Sequence, residues 1–113
     1  VKLFVYVLNR PEKLEEVLAA FVEIGITGAT VVDSVGMGRI IAQDVPIFAS
    51  FQSLLSASRP YNKTILSVID DEPKLERALR LIEEICGPFG SAGAGIALTL
   101  PIEQAYGIKP EFK

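Results

Sequence analysis

Residues 7–24 lie over residues 68–85 at a constant offset of 61, the step from Leu14 to Leu75, and seven of the 18 aligned pairs are identical. The identical pairs are Val7/Val68, Lys13/Lys74, Leu14/Leu75, Glu15/Glu76, Leu18/Leu79, Glu23/Glu84 and Ile24/Ile85, and a proline opens each segment (Pro11, Pro73). Each copy reads as an apolar strand, a short polar turn, a helix and a second strand. Two such units in series give the order βαββαβ. That order is the split βαβ sandwich: an α+β, ferredoxin-like fold with an antiparallel four-stranded sheet and two helices on one face. Residues 1–113 then make one domain, with a long insertion, about 36–62, between strands 2 and 3.

The individual elements follow from hydropathy patterning. Lys2 to Leu8 reads as a strand with almost no polar alternation, ended by Asn9, Arg10 and Pro11. A helix is expected from there to about Gly25, with Asn9 as its N-cap and Leu14, Val17, Leu18, Phe21 and Ile24 as its buried stripe. Gly25 closes it. Thr27 to Val35 is the expected second strand and Lys63 to Ile69 the third. A second helix should run from about Pro73 to Cys86 with Leu75, Ala78, Leu79, Ile82 and Ile85 inward. A glycine-rich loop, Gly87 to Gly95, leads to the last strand, Ile96 to Leu100, and one helical turn is expected over Pro101 to Tyr106.

The strands carry apolar groups on both faces: Leu3 to Leu8, Ile65, Leu66, Val68 and Ile69, then Ile96, Ala97, Leu98 and Leu100. Helices on one side would cover only half of these, so the second face calls for other copies of the chain, or for the central insertion folded back over it. A net charge of −3 leaves no basic footprint for nucleic acid. No apolar run is long enough for a membrane span and no signal peptide is evident. The lone Cys86 has no partner in the chain for a disulfide, and a reducing compartment, the cytoplasm, is expected. Histidine is absent, which removes the commonest general base and metal ligand, so neither a metal centre nor a catalytic residue is expected. Asp70, Asp71 and Glu72 read as the start of the second helix, where carboxylates meet the positive end of its dipole. Asp33 and Asp44 flank the insertion, with nothing in their spacing that requires a metal.

At Gly36-Met37-Gly38-Arg39 the pattern becomes specific. This motif, together with Lys13-Leu14-Glu15-Glu16-Val17, Ile24-Gly25-Ile26-Thr27-Gly28-Ala29-Thr30-Val31, Val68-Ile69-Asp70-Asp71, and Gly93-Ala94-Gly95 through Leu100-Pro101-Ile102, resembles the nitrogen-regulatory PII signalling proteins and their PII-like relatives over nearly the whole chain. The resemblance implies a homotrimer with sheets facing inward, a small-molecule effector such as an adenine nucleotide in clefts between subunits, and a loop that touches a partner protein. No cofactor is implied. It places ligand contacts at Gly36, Gly38 and Arg39, at Gly90, Gly93 and Gly95, and at Lys109. Small residues from Gly90 to Gly95 would also let backbone amides approach an anion closely, or serve only the turns of a flexible connection.

The chain departs from the family pattern where charge matters. Ile40 stands in place of a glutamine, Ile96 in place of the lysine after the glycine-rich loop, and Gly107 in place of a basic residue. Each substitution weakens a charge-assisted triphosphate contact. A less charged nucleotide, a cyclic dinucleotide, a small carboxylate or no ligand at all would suit what remains. Within the insertion, residues 46–56 read as a short amphipathic helix whose face bears Ile47, Phe48, Phe51, Leu54 and Leu55. Phe48, Phe51 and Leu55 are the partner-contact candidates, unless that face packs on its own trimer. A trimeric interaction protein without a ligand and a metal-associated protein of the CutA type are the alternative functions.

Overall fold

The computed structural model describes residues 1–37, 61–91 and 94–108. Its elements are β1 (Lys2–Leu8), a 3-10 turn (Pro11–Lys13), α1 (Leu14–Glu23), β2 (Thr30–Val35), β3 (Tyr61–Ile69), α2 (Glu72–Cys86) and β4 (Ile96–Pro101). The strands form one sheet in the order β2-β3-β1-β4. All three pairings are antiparallel. This is the ferredoxin-like α+β arrangement, with each βαβ unit leaving a gap that a strand of the other fills.

Strand alternation assigns the faces. Phe4, Tyr6 and Leu8 are fully buried on β1, as are Ile65, Ser67 and Ile69 on β3, and they meet the stripes of the two helices. Val17 and Phe21 of α1 and Leu75, Ala78, Ile82 and Cys86 of α2 complete that core. Leu14, Leu18, Ile24, Leu79 and Ile85 pack partly buried against it, as the helical spacing predicts. The Phe4 ring lies 6.4 Å from Tyr6 and 6.2 Å from Phe21, centroid to centroid, joining sheet to helix layer.

The other sheet face has no cover among the described residues. Register puts Val68, Leu3 and Leu100 on one rung of it, Thr30, Leu66, Val5 and Leu98 on the next, and Val32, Thr64, Val7 and Ile96 on the third. Ile96, Leu98, Leu100 and Val32 are about half exposed. At one corner of this face the polarity changes. Ser34 Oγ bonds to Asn62 Oδ1, lies 2.8 Å from Thr64 Oγ1, and Asn62 Nδ2 donates to Asn9 Oδ1 at 3.5 Å.

Several local expectations are corrected. Asn9 is not the N-cap of the first helix; its carboxamide is turned to Asn62, and Pro11 starts a 3-10 turn that delays α1 to Leu14. β2 begins at Thr30 and not Thr27, since the Gly28 carbonyl accepts from Ser67 Oγ (2.6 Å) while the chain crosses from the helix layer to the sheet. β3 begins two positions early, at Tyr61. Asp71 is the N-cap residue of α2 but makes no side-chain cap bond, and Glu72 instead reaches Lys2 at 3.3 Å. The helical turn expected over Pro101 to Tyr106 does not form. The Ile102 amide is taken by the Val1 carbonyl (3.2 Å), which carries the chain on along the strand direction and leaves Tyr106 exposed. Gly25 does close the first helix: Ile26 N donates to Phe21 O (2.8 Å) and Gly25 N to Val22 O (3.0 Å), the paired bonds of a Schellman motif.

Candidate functional site

Strand directions bring several of the expected site residues to one end of the sheet. β1 ends there at Leu8 and β2 at Val35, while β3 starts at Tyr61 and β4 at Ile96. Gly36 therefore leaves the β2 edge, and Gly90 and Gly95 serve the β4 edge, at the same end. β3 and β1 lie between them, so the two edges are three strand spacings apart, roughly 14 Å. Gly38, Arg39, Gly93, Lys109, Phe48, Phe51 and Leu55 lie outside the described residues, as does the helix expected over residues 46–56.

The connection into β4 is held tightly at its far end. Tyr6, fully buried, donates its hydroxyl to the Ala94 carbonyl at 2.5 Å. Next to it Gly95 has φ +88, and a Cβ there would stand 2.0 Å from the Val7 carbonyl oxygen and 3.3 Å from the Asn9 amide nitrogen. Only a glycine permits that approach without moving backbone. Burial, then the neighbouring Cys86 thiol, pushes the Tyr6 pKa up, and the charge of Arg10 works against the rise. The phenol therefore stays protonated and keeps its bond to the loop at any ordinary pH.

A groove runs beside this connection, lined by Leu79, Glu83, Phe89, Gly90, Gly95, Ile96 and Ala97. Phe89 is the aromatic residue of its lining and meets Tyr6 edge to face, with centroids 6.2 Å apart. Glu83 accepts from the Phe89 amide at 3.1 Å and gives the groove its negative charge. An apolar slot with a carboxylate suits a flat uncharged ring better than a phosphate.

The cations at this end were not among the expected ligand contacts, and they differ in state. Lys13 pairs with Glu16 at 3.4 Å, and Lys63 pairs with Asp33 across the β2·β3 ladder. Among the described residues Arg10 makes no ion pair, and its Nε is buried without a hydrogen-bond partner, although the residue as a whole is only half-buried. The sequence signal for it was present: an arginine directly before Pro11, where the second copy of the repeat has Asp71. Cys86 is buried, as its place on the helix stripe predicts.

The fold class serves many unrelated activities, so the architecture by itself defines only a small α+β module with a long segment between β2 and β3 and a glycine-containing turn into β4. Sequence comparison supplies the rest. The family model for nitrogen regulatory protein P-II matches residues 2–111, and the chain belongs to that family of regulatory signal-transduction proteins, which are not enzymes. It is 30% identical over 100 residues, 88% of this chain and 87% of the relative, to the nitrogen fixation nifHD region GlnB-like protein 1 of Methanothermobacter marburgensis. Proteins of the family are generally trimeric regulators that interact with partner proteins. No described helix is long and apolar enough to cross a membrane.

Proposed function

We propose that this chain is a trimeric signal transducer of the cytoplasm that binds a small anionic effector, an adenine nucleotide first among the candidates, in clefts between subunits. Occupancy is relayed to a partner protein through residues 36–62, with Phe48, Phe51 and Leu55 as the contact. The observation that carries the reading is the uncovered apolar face, with half-exposed Ile96, Leu98, Leu100 and Val32 in register across the sheet. A monomer with that face in water would be an aggregation hazard, and a closed ring of copies removes it. Ring closure is head to tail, so it sets unlike edges side by side: the β4 edge of one copy, with Gly90 and Gly95, beside the β2 edge of the next, with Gly36. That juxtaposition supports a cleft that draws on both glycine segments, together with Gly38, Arg39, Gly93 and Lys109.

Native mass spectrometry of the purified protein tests this, alone and with ATP, ADP, cyclic dinucleotides and 2-oxoglutarate. The expected result is a mass of three chains that takes up ligand in steps to three. A monomer would remove the argument from the apolar face. A trimer that takes up nothing would favour the second reading, a constitutive interaction protein, which the exposed Ile96 at the family's lysine position supports.

A further inference from the structure

The helix layer carries a groove of its own. Arg77, Arg80, Leu81 and Glu84 recur at helical spacing along α2 and line one side of it, and Glu23 and Ile24 at the end of α1 line the other. Its volume, about 370 Å³, is that of a small-molecule site. The helices cover the sheet face opposite the bare one, so assembly through the bare face leaves this groove open. Its arginines belong to the second copy of the repeat alone. At the offset of 61, Arg77, Arg80 and Leu81 stand over Glu16, Ala19 and Ala20, while Glu84 stands over Glu23, so the matching stretch of α1 has no cation. Two structural uses for these arginines do not apply. The carbonyl end of α1 already has its cation, since Lys74 Nζ donates to Gly25 O at 3.3 Å. Arg80 and Glu84 lie four residues apart with the cation first, the weaker order for a helix pair. Among the described residues, none of Arg77, Arg80, Glu23 and Glu84 is in an ion pair.

We propose that this groove binds a zwitterion of the α-amino acid class with an apolar side chain. Two exposed guanidiniums offer planar forks that match a carboxylate, and two exposed carboxylates offer acceptors for an ammonium group. A simple anion would meet the arginines but bring its charge against Glu23 and Glu84, and a simple cation would meet the reverse. A molecule that carries both charges a few bonds apart satisfies both sets. Leu81 and Ile24, half-buried in the same lining, supply the apolar surface for its side chain. The site is separate from the clefts between subunits and does not rest on them.

The test is an amide NMR titration of the full chain with L-leucine, with 4-methylpentanoate, which lacks the ammonium group, and with 3-methylbutylamine, which lacks the carboxylate. L-leucine is expected to give saturable shifts centred on residues 23–24 and 77–84, and each analogue to bind about tenfold more weakly or worse. Arg80→Gln and Glu84→Gln should each weaken L-leucine by about tenfold while melting close to wild type, since both positions are exposed. If either variant melts well below wild type, the two analogues on the wild-type protein decide the matter. Absence of saturable shifts in this groove overturns the proposal. So does 4-methylpentanoate binding as well as L-leucine, which would show a plain anion site. Shifts at these residues that follow protein concentration and not added L-leucine would show a second copy of the chain as the occupant and overturn it as well.

Discussion

Gly95→Ala should be the most damaging single methyl addition in the described chain. Two costs apply, and a second glycine separates them. At φ +88 an alanine pays a backbone penalty of about 1–2 kcal/mol, and Gly90, at φ +93 with nothing within 4 Å of its would-be Cβ, carries the same penalty with no clash. Gly95 adds the steric term. Its Cβ would stand 2.0 Å from Val7 O, and ordinary contact begins near 3.4 Å, so the backbones of β1 and the loop must part. Val7 is the partner of Ile96 on the terminal rung of the β1·β4 ladder, and Ala94 is tied to Tyr6, so the separation strains two hydrogen bonds worth about 1 kcal/mol each. The sum is roughly 3–4 kcal/mol for Gly95→Ala against about 1–2 kcal/mol for Gly90→Ala. In a domain of this size each kcal/mol moves the melting midpoint by about 4 °C or more, so the two variants should differ by about 8 °C. Thermal and urea melts at one fixed protomer concentration measure it, because assembly makes stability concentration-dependent. Equal midpoints for the two variants would refute the steric argument.

Leu98→Lys puts an ammonium at the middle rung of the uncovered sheet face, between Val5 and the edge, and should convert a three-chain mass to a single chain in native mass spectrometry; an intact trimer would show that this face is not the interface. Ser67→Ala removes the 2.6 Å bond to the Gly28 carbonyl beneath the sheet and should cost about 1–2 kcal/mol in urea unfolding, against near-zero loss if that carbonyl finds another donor. Tyr6 holds its proton more tightly folded than unfolded, so its contribution is fully present below the ordinary phenol value of 10.0 and declines as pH rises past it, by up to about 1.4 kcal/mol per pH unit. The stability difference between wild type and Tyr6→Phe should therefore be flat from pH 7 to 9 and shrink between pH 10 and 11, and a difference that stays constant across that range would contradict the buried neutral phenol.

The parts of this fold that were legible in the sequence are those set by periodicity, and the parts that were not are set by contacts across the chain. The helix stripes through Val17 and Phe21, and through Leu75 and Ile82, could be read because a 3.6-residue repeat has one physical meaning. The two-sided apolar strands could be read because polar alternation at a period of two is missing from them, and the bare sheet face is their consequence. The start of α1 could not. The repeat lays Asn9-Arg10-Pro11 over Asp70-Asp71-Glu72, which invites one capping scheme for both helices, yet the first copy spends these residues on a 3-10 turn and a bond from Asn62, while the second enters α2 directly at Glu72. Of the site, Gly95 was legible as a glycine but not as the residue that must pass Val7 O, since that contact joins positions far apart in sequence.

That asymmetry between the copies bears on how the site is built. Two βαβ units with the same helix stripe give the sheet its pseudo-symmetry, and a symmetric pair of turns would present the same groups at both ends of the sheet. Here the turn after β1 and the turn after β3 lie at opposite ends and differ in charge: Arg10 with an unpartnered Nε at one, and Asp70, Asp71 and Glu72 at the other, with Glu72 reaching Lys2. The acidic turn has its role in the positive end of the α2 dipole. Among the described residues the basic turn has no such partner, and it follows the strand whose Tyr6 tethers Ala94 at the entry of β4. Divergence of a duplicated unit at its turns, with its core stripes kept, thus leaves stability shared between the copies and sets opposite charge at the two ends of the sheet.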